Sequence, residues 1–88
     1  MDIEIIWKNI VSNENEKFYT KTGIEFVYTI NGDRIQPIPT NGSRIYNITR
    51  STIEQVIKNY LPLKRTSQLQ NFFAPSYIYA ILTDKRIM

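Results

Sequence analysis

The sequence predicts a small α+β domain, in which an antiparallel sheet comes first and helices pack on one face of it. Three observations lead to this fold class. Short apolar runs with the period of β-strands fill the first half, Gly-containing turns separate them, and the hydrophobic period becomes helical after residue 50. With 88 residues the chain has room for a single domain, 1–88. We therefore expect three to five strands within residues 2–48, followed by two or three helices.

The predicted sheet begins with residues 2–11, where Ile3, Ile5 and Trp7 would share one face of an extended chain. Four more extended runs are expected, over residues 17–21, 24–30, 34–38 and 44–48. The chain contains fifteen isoleucines, and this favours a sheet because a side chain branched at Cβ packs well on a pleated surface.

Two connections carry specific predictions. Asn31-Gly32 joins two strand-like runs and favours a type I′ hairpin turn, because both central residues of that turn need a positive φ. Pro37 has no N–H to donate to a strand ladder, so its strand is expected at an edge of the sheet.

The last part of the chain has a helical pattern. Ser51 and Glu54 match a capping box, and a helix over residues 51–60 carries apolar residues three and four positions apart: Ile53, Val56, Ile57 and Tyr60. A short helix is expected over 66–72 and a last helix over 75–84, which Pro75 would begin as its first residue.

The composition excludes several kinds of chemistry. The chain has no cysteine and no histidine, which excludes disulfides, zinc sites built from these residues, thiol catalysis and acid–base catalysis by imidazole. Its three glycines stand apart and form no phosphate-binding loop. We therefore expect a protein that is not an enzyme and that uses no cofactor and no metal. No apolar run reaches the roughly 18–20 residues that cross a bilayer, so we expect no membrane contact and a cytoplasmic location.

The charge is unevenly distributed along the chain. Residues 1–33 carry six acidic and three basic residues, a net charge of −3, whereas residues 34–88 carry eight basic and two acidic residues, a net charge of +6. A basic half of this kind favours an anionic partner, and we expect nucleic acid, DNA in the first place. The expected phosphate contacts are Arg44, Arg50, Lys58, Lys64 and Arg65, and the expected base contacts are the amides of Gln68, Gln70 and Asn71.

Two structural forms of nucleic-acid binding fit the sequence. A helix, a turn with Pro62 and a short polar helix have the spacing of a helix-turn-helix motif. Alternatively, aromatic residues of the hairpin would stack on bases beside nearby cations. The aromatic residues of this second form are Tyr19, Phe26 and Tyr28, and the cations are Lys17, Lys21 and Arg34.

The competing expectation is a protein-interaction module or small inhibitor, acting as a monomer or a homodimer. The chain has six tyrosines and an adjacent pair of phenylalanines, and both residue types are enriched at the centres of interfaces. The expected contact residues are Phe73, Tyr77 and Tyr79, together with the exposed edge strand.

Overall fold

The computed structural model describes residues 2–40, 42 and 46–88, and it confirms the α+β fold class. In this part of the chain a four-stranded antiparallel sheet has the strand order β1-β2-β3-β4. Three α-helices and one short 3₁₀ helix accompany it. The elements in chain order are α1 (Ile3–Ser12), β1 (Phe18–Tyr19), β2 (Glu25–Asn31), β3 (Arg34–Pro39), β4 (Ile48–Thr49), α2 (Arg50–Asn59), the 3₁₀ helix (Thr66–Leu69) and α3 (Pro75–Leu82).

The first element is a helix, so the predicted strand over residues 2–11 was wrong. An extended chain would place Ile5 on the buried face, but this residue is 60% exposed. The carboxylate of Asp2 instead begins a helix by accepting the N–H of Glu4 at 2.9 Å. The apolar residues that face inward are three and four positions apart: Ile3, Ile6, Trp7 and Ile10.

The β2–β3 hairpin is the centre of the sheet, and its turn differs from the expected one. Asn31 pairs with Arg34, so the two loop residues are Gly32 and Asp33. Of these two, Gly32 alone has a positive φ, of 63°. This is the pattern of a type II′ turn, which needs glycine at its first central position, and not of the predicted type I′ turn.

The strand with Pro37 was predicted at an edge of the sheet, and this was wrong: β3 lies between β2 and β4. Thr40 donates its N–H to the carbonyl of Glu25, which fixes the alternation of hydrogen-bonded pairs along the hairpin. Pro37 and Pro39 therefore face their β2 partners at positions without hydrogen bonds, and their missing N–H groups cost the ladder nothing. Within the described residues, β4 pairs with the first two residues of β3 only.

The later helices lie close to their predicted ranges. The N-cap of α2 is Thr49 and not Ser51, because the Thr49 hydroxyl accepts the N–H of Thr52 at 3.2 Å. The predicted short helix over 66–72 is a four-residue 3₁₀ helix. Pro75 begins α3 as expected, and this helix ends at Leu82.

The helices cover the face of the hairpin that carries Phe26 and Tyr28. The Tyr28 hydroxyl donates to the carbonyl of Ile10 in α1, and the ring of Tyr77 in α3 stands edge-on to Phe26 at 4.8 Å. Burial raises the pKa of the Tyr28 phenol well above its usual range. Because Phe26 and Tyr28 are completely buried, the interpretation that hairpin aromatics stack on bases was wrong for both. None of the described helices is long and apolar enough to cross a membrane.

Candidate nucleic-acid interface

Arg50 was predicted to contact phosphate, but its guanidinium is engaged within the fold. It pairs with Glu4 of α1 and with Glu54, whose Oε1 lies 3.7 Å from its Nε. The guanidinium also lies 5.7 Å from the ring centroid of Trp7. The Arg50 side chain is only 28% exposed. These contacts join α1 to α2 and neutralise the charge, so Arg50 acts as a structural residue.

Gln68 was predicted to contact bases, but its amide holds the segment 62–65. Its Oε1 accepts the N–H groups of Lys64 at 2.7 Å and Arg65 at 2.9 Å. Its Nε2 donates to the carbonyl of Pro62 at 3.3 Å. Recognition of adenine needs both ends of an amide at once, and both ends of Gln68 are occupied.

The helix-turn-helix interpretation was wrong for the second helix. The 3₁₀ helix Thr66–Leu69 has four residues, which make little more than one turn. A recognition helix must present several side chains along the major groove, and one turn is too short for that.

Two basic parts of the chain meet at Tyr79 of α3, and we call Tyr79 together with Lys21, Lys64 and Arg65 the Tyr79 cluster. The Tyr79 hydroxyl donates to the carbonyl of Lys64 at 3.2 Å, and Arg65 is the next residue along the chain. The ammonium group of Lys21 lies 5.9 Å from the ring centroid of Tyr79. Lys21, Lys64 and Arg65 are all exposed residues. The cluster forms because α3 contacts both β1 and the 3₁₀ helix.

The described acidic residues leave the Tyr79 cluster without a carboxylate partner. Asp84 is held by Arg86, and the hydrogen bond from this guanidinium keeps the pKa of the carboxyl below its ordinary value. Glu25 lies 3.9 Å from Lys17. A hydrogen bond from Thr40, followed by the charge of Lys17, lowers the pKa of Glu25. Among the described residues, Lys21, Lys64 and Arg65 therefore form no ion pair.

The other predicted contact residues do not join this cluster. Lys58 is exposed in the last turn of α2, and Gln70 and Asn71 are exposed after the 3₁₀ helix. Arg44 lies outside the described residues. Arg34 lies at the hairpin turn, where the carbonyl of Asp33 accepts the N–H that begins α2, whereas Lys58 is at the opposite end of that helix. Arg34 and Lys58 therefore lie at opposite ends of α2 and not at one place.

The residues predicted for a protein interface form part of a row of aromatic rings. Phe73 is 59% exposed, and its ring centroid lies 5.4 Å from that of Tyr46. Tyr46 in turn lies 5.2 Å from Tyr77, which packs on buried Phe26. Tyr79 is on the other flank of α3, in the cationic cluster. Burial raises the pKa of Tyr77.

Sequence reasoning missed the approach of Lys21 to Tyr79. It associated this lysine with the hairpin, whereas the structure brings Lys21 to Tyr79, near the other end of the chain. Periodicity and composition carry no signal for such a long-range approach, so the pattern alone could not have found it.

Neither a metal site nor a likeness to known proteins assigns a function to the chain. Within residues 2–40, 42 and 46–88, no three acidic, histidine or cysteine side chains are grouped so that they could hold a metal ion. No family model, no curated protein and no solved structure matches this chain.

Proposed function

We propose that this protein is a non-catalytic domain that binds the phosphate backbone of nucleic acid through the Tyr79 cluster. The observation that supports the proposal is that Tyr79 brings the ammonium group of Lys21 near the backbone of Lys64, which Arg65 follows, while none of the three cations has a carboxylate partner among the described residues. Cations of this kind bind phosphates and release the counterions that surround them. DNA is the expected nucleic acid, and the cytoplasm is the expected location.

We expect fewer contacts with bases than the sequence predicted. Phosphate contacts carry no sequence information, and Gln68 is occupied by the backbone of the segment 62–65. Gln70 and Asn71 are the predicted amides that remain accessible for contacts with sugar or bases. We therefore expect binding that depends strongly on salt and only weakly on sequence.

Salt dependence of binding tests the proposal. A labelled DNA duplex and an RNA duplex of the same sequence would be titrated with the protein, and fluorescence anisotropy would give the affinity. If three phosphates are neutralised, the affinity should fall about 40-fold between about 50 and about 200 mM salt. Replacing Lys64 and Arg65 together by alanine should weaken binding to every sequence and reduce this salt dependence.

Arg34→Ala is the matched control for Lys21→Ala, since each removes one exposed cation and Arg34 lies at the hairpin turn. We expect Lys21→Ala to weaken binding and Arg34→Ala to leave it nearly unchanged. Equal losses would mean that net charge and not the Tyr79 cluster is responsible. Absence of binding at low salt would remove the proposal altogether.

As a second candidate function, we propose association with a protein through Phe73, with a second copy of the chain as the simplest partner. The observation that favours it is a largely exposed aromatic ring that packs on Tyr46, which in turn packs on Tyr77. The next residue, Ala74, has a φ of 58°, which is a strained conformation for a residue with a side chain. The edge of β3 is less suited to an interface, because its prolines offer no N–H groups to an added strand.

Sedimentation velocity at two protein concentrations tests this second candidate. A homodimer held by Phe73 should dissociate on dilution, and Phe73→Ser should make the protein monomeric at both concentrations. Tyr19→Ser is the control, because Tyr19 is another largely exposed aromatic residue, at 57%. A wild-type protein that is monomeric throughout would contradict the homodimer.

A further inference from the structure

Tyr79 lies on the side of α3 that faces solvent. Ser76 and Thr83, about one helical turn before and after it, are both exposed residues. Its neighbours in the sequence, Ile78 and Ala80, are buried. Tyr79 itself is half-buried, since part of its side chain packs against the core. The remaining part of the side chain is therefore at the surface, between two exposed positions of the helix.

The ring of Tyr79 is held in place but is not covered by another ring. Its hydroxyl donates to the carbonyl of Lys64 at 3.2 Å, which fixes the orientation of the ring. Within the described part of the chain, no other aromatic ring contacts it. The group that lies over the ring is the ammonium of Lys21, 5.9 Å from the centroid. Because Lys21 is an exposed residue in the turn between β1 and β2, this face of the ring can be reached from solvent.

An accessible aromatic ring beside cations suits an unpaired strand of nucleic acid. The bases of a single strand stack on aromatic side chains while cations nearby bind its phosphates. In a duplex the bases are already stacked and paired, so the ring has no base to contact. Lysine has a long and flexible stem. Lys21 can therefore move from the ring to a neighbouring phosphate when a base takes its place over Tyr79.

The described helices are less suited to a duplex. A helix that reads the major groove must present several side chains to the bases. The 3₁₀ helix has only four residues, and the amide of Gln68 is occupied by the backbone of the segment 62–65. The exposed side of α2 carries the carboxylate of Glu54 four positions before Lys58, and this negative charge would face the phosphates that border a groove. The surroundings of Tyr79 therefore suit nucleic acid better than either helix does.

We propose that the Tyr79 cluster binds single-stranded nucleic acid, with a base stacked on the ring of Tyr79 and the adjacent phosphates bound by Lys21, Lys64 and Arg65. This inference rests on the proposed function, because the cations are those of the phosphate site. It adds the ring as a binding group and specifies the form of the nucleic acid. Every base has a flat face, so stacking of this kind is tolerant of sequence.

The experiment compares the two forms of one DNA sequence by fluorescence anisotropy. A labelled strand of about 16 nucleotides without self-complementarity is titrated with the full chain, and so is the duplex that it forms with its complement. Salt at about 200 mM weakens contacts to phosphate, whereas it does not screen stacking. We expect the single strand to bind several-fold more tightly than the duplex at this salt concentration. Equal or tighter binding of the duplex would overturn the inference.

Two variants of Tyr79 separate its ring from its hydroxyl. Tyr79→Phe and Tyr79→Leu both lose the hydrogen bond to Lys64, but only Tyr79→Leu lacks the ring. We expect Tyr79→Leu to bind the single strand about tenfold more weakly than Tyr79→Phe does, because a stacked base is lost. On the duplex the two variants should have the same affinity, which also shows that both are folded. The control is Tyr19→Leu at another tyrosine, 57% exposed on β1, and it should bind the single strand like the wild type.

The outcomes distinguish this inference from the proposed function. If Tyr79→Phe and Tyr79→Leu bind the single strand equally well, no base stacks on the ring, and the inference fails while phosphate binding by the cations stands. If Tyr19→Leu weakens binding as much as Tyr79→Leu, the assignment to Tyr79 fails. If neither form of DNA binds even at low salt, the proposed function and the inference fail together.

Discussion

At the scale of single residues, polar side chains of the same type have different surroundings. Some make hydrogen bonds within the fold, and others face solvent. Gln68 and Gln70 stand two positions apart, and the sequence predicted both to contact bases. The amide of Gln68 makes three hydrogen bonds to the backbone of the segment 62–65, whereas Gln70 is exposed and makes no hydrogen bond through its side chain among the described residues. The sequence around a glutamine does not show which backbone groups its amide meets in the fold. The roles of Gln68 and Gln70 could therefore not be distinguished from the sequence.

The two glutamines should therefore differ in their effect on stability. We expect Gln68→Ala to lower the free energy of unfolding by about 1 kcal/mol, because the N–H groups of Lys64 and Arg65 lose their acceptor. The control Gln70→Ala should change it by less than about 0.5 kcal/mol, as is usual at exposed positions. Urea denaturation of both variants measures the difference. Equal effects would contradict the structural role of Gln68.

At the scale of elements, prediction succeeded where period, propensity and turn signals agreed. The strands β2 and β3 are rich in branched and aromatic residues and meet at Gly32. The helix α2 has apolar residues three and four positions apart, as a helix requires. The prediction failed for residues 2–11, whose apolar residues fit both the period of a strand and the period of a helix. Ile3, Ile5 and Trp7 suit a strand, but a helix buries Ile6 and Ile10 as well.

The failure at α1 has a physical cause. Isoleucine favours strands, and because the period of residues 2–11 was ambiguous, this preference led to the prediction of a strand in place of a helix. Asp2 was the contrary signal, because an aspartate before an apolar run is a common helix N-cap. Packing of Ile6 and Ile10 against the sheet outweighs the weak local preference. The Tyr79 cluster depends even more on packing between distant parts of the chain, since no local sequence pattern brings Lys21 to Tyr79.

At the scale of the whole molecule, some of the arginines in the basic half of the chain contact groups in the acidic half and so join the two halves. Arg50 binds Glu4, and Arg86 donates to the carbonyl of Lys17 at 2.9 Å. The guanidinium of Arg86 also lies 4.0 Å from the ring centroid of Phe18. Two arginines of the basic half therefore stabilise the fold, and those cations that remain unpaired are the ones available to an anionic partner.

The link between Arg86 and Asp84 predicts how stability depends on pH. Three hydrogen bonds of 2.9 Å from the backbone N–H and the guanidinium of Arg86 reach the Asp84 carboxylate, and they lower its pKa in the folded state. The unfolded chain therefore binds a proton at a higher pH than the folded chain does. The contribution of this group to stability is complete above the ordinary aspartate pKa of about 4 and is lost as the pH falls towards the lowered value.

Replacing Asp84 by asparagine should remove this dependence. We expect the free energy of unfolding of the wild-type protein to fall more steeply below about pH 4 than that of Asp84→Asn, because only the wild-type carboxyl takes up the proton. Arg86→Gln should flatten the same part of the profile, since without the guanidinium the pKa of Asp84 returns towards its ordinary value in the folded state. Urea denaturation at a series of pH values gives the three profiles. Parallel profiles for the wild type and Asp84→Asn would mean that the Asp84–Arg86 contact contributes nothing to the acid sensitivity of the fold, and that other carboxyls, such as Glu25 beside Thr40, account for it.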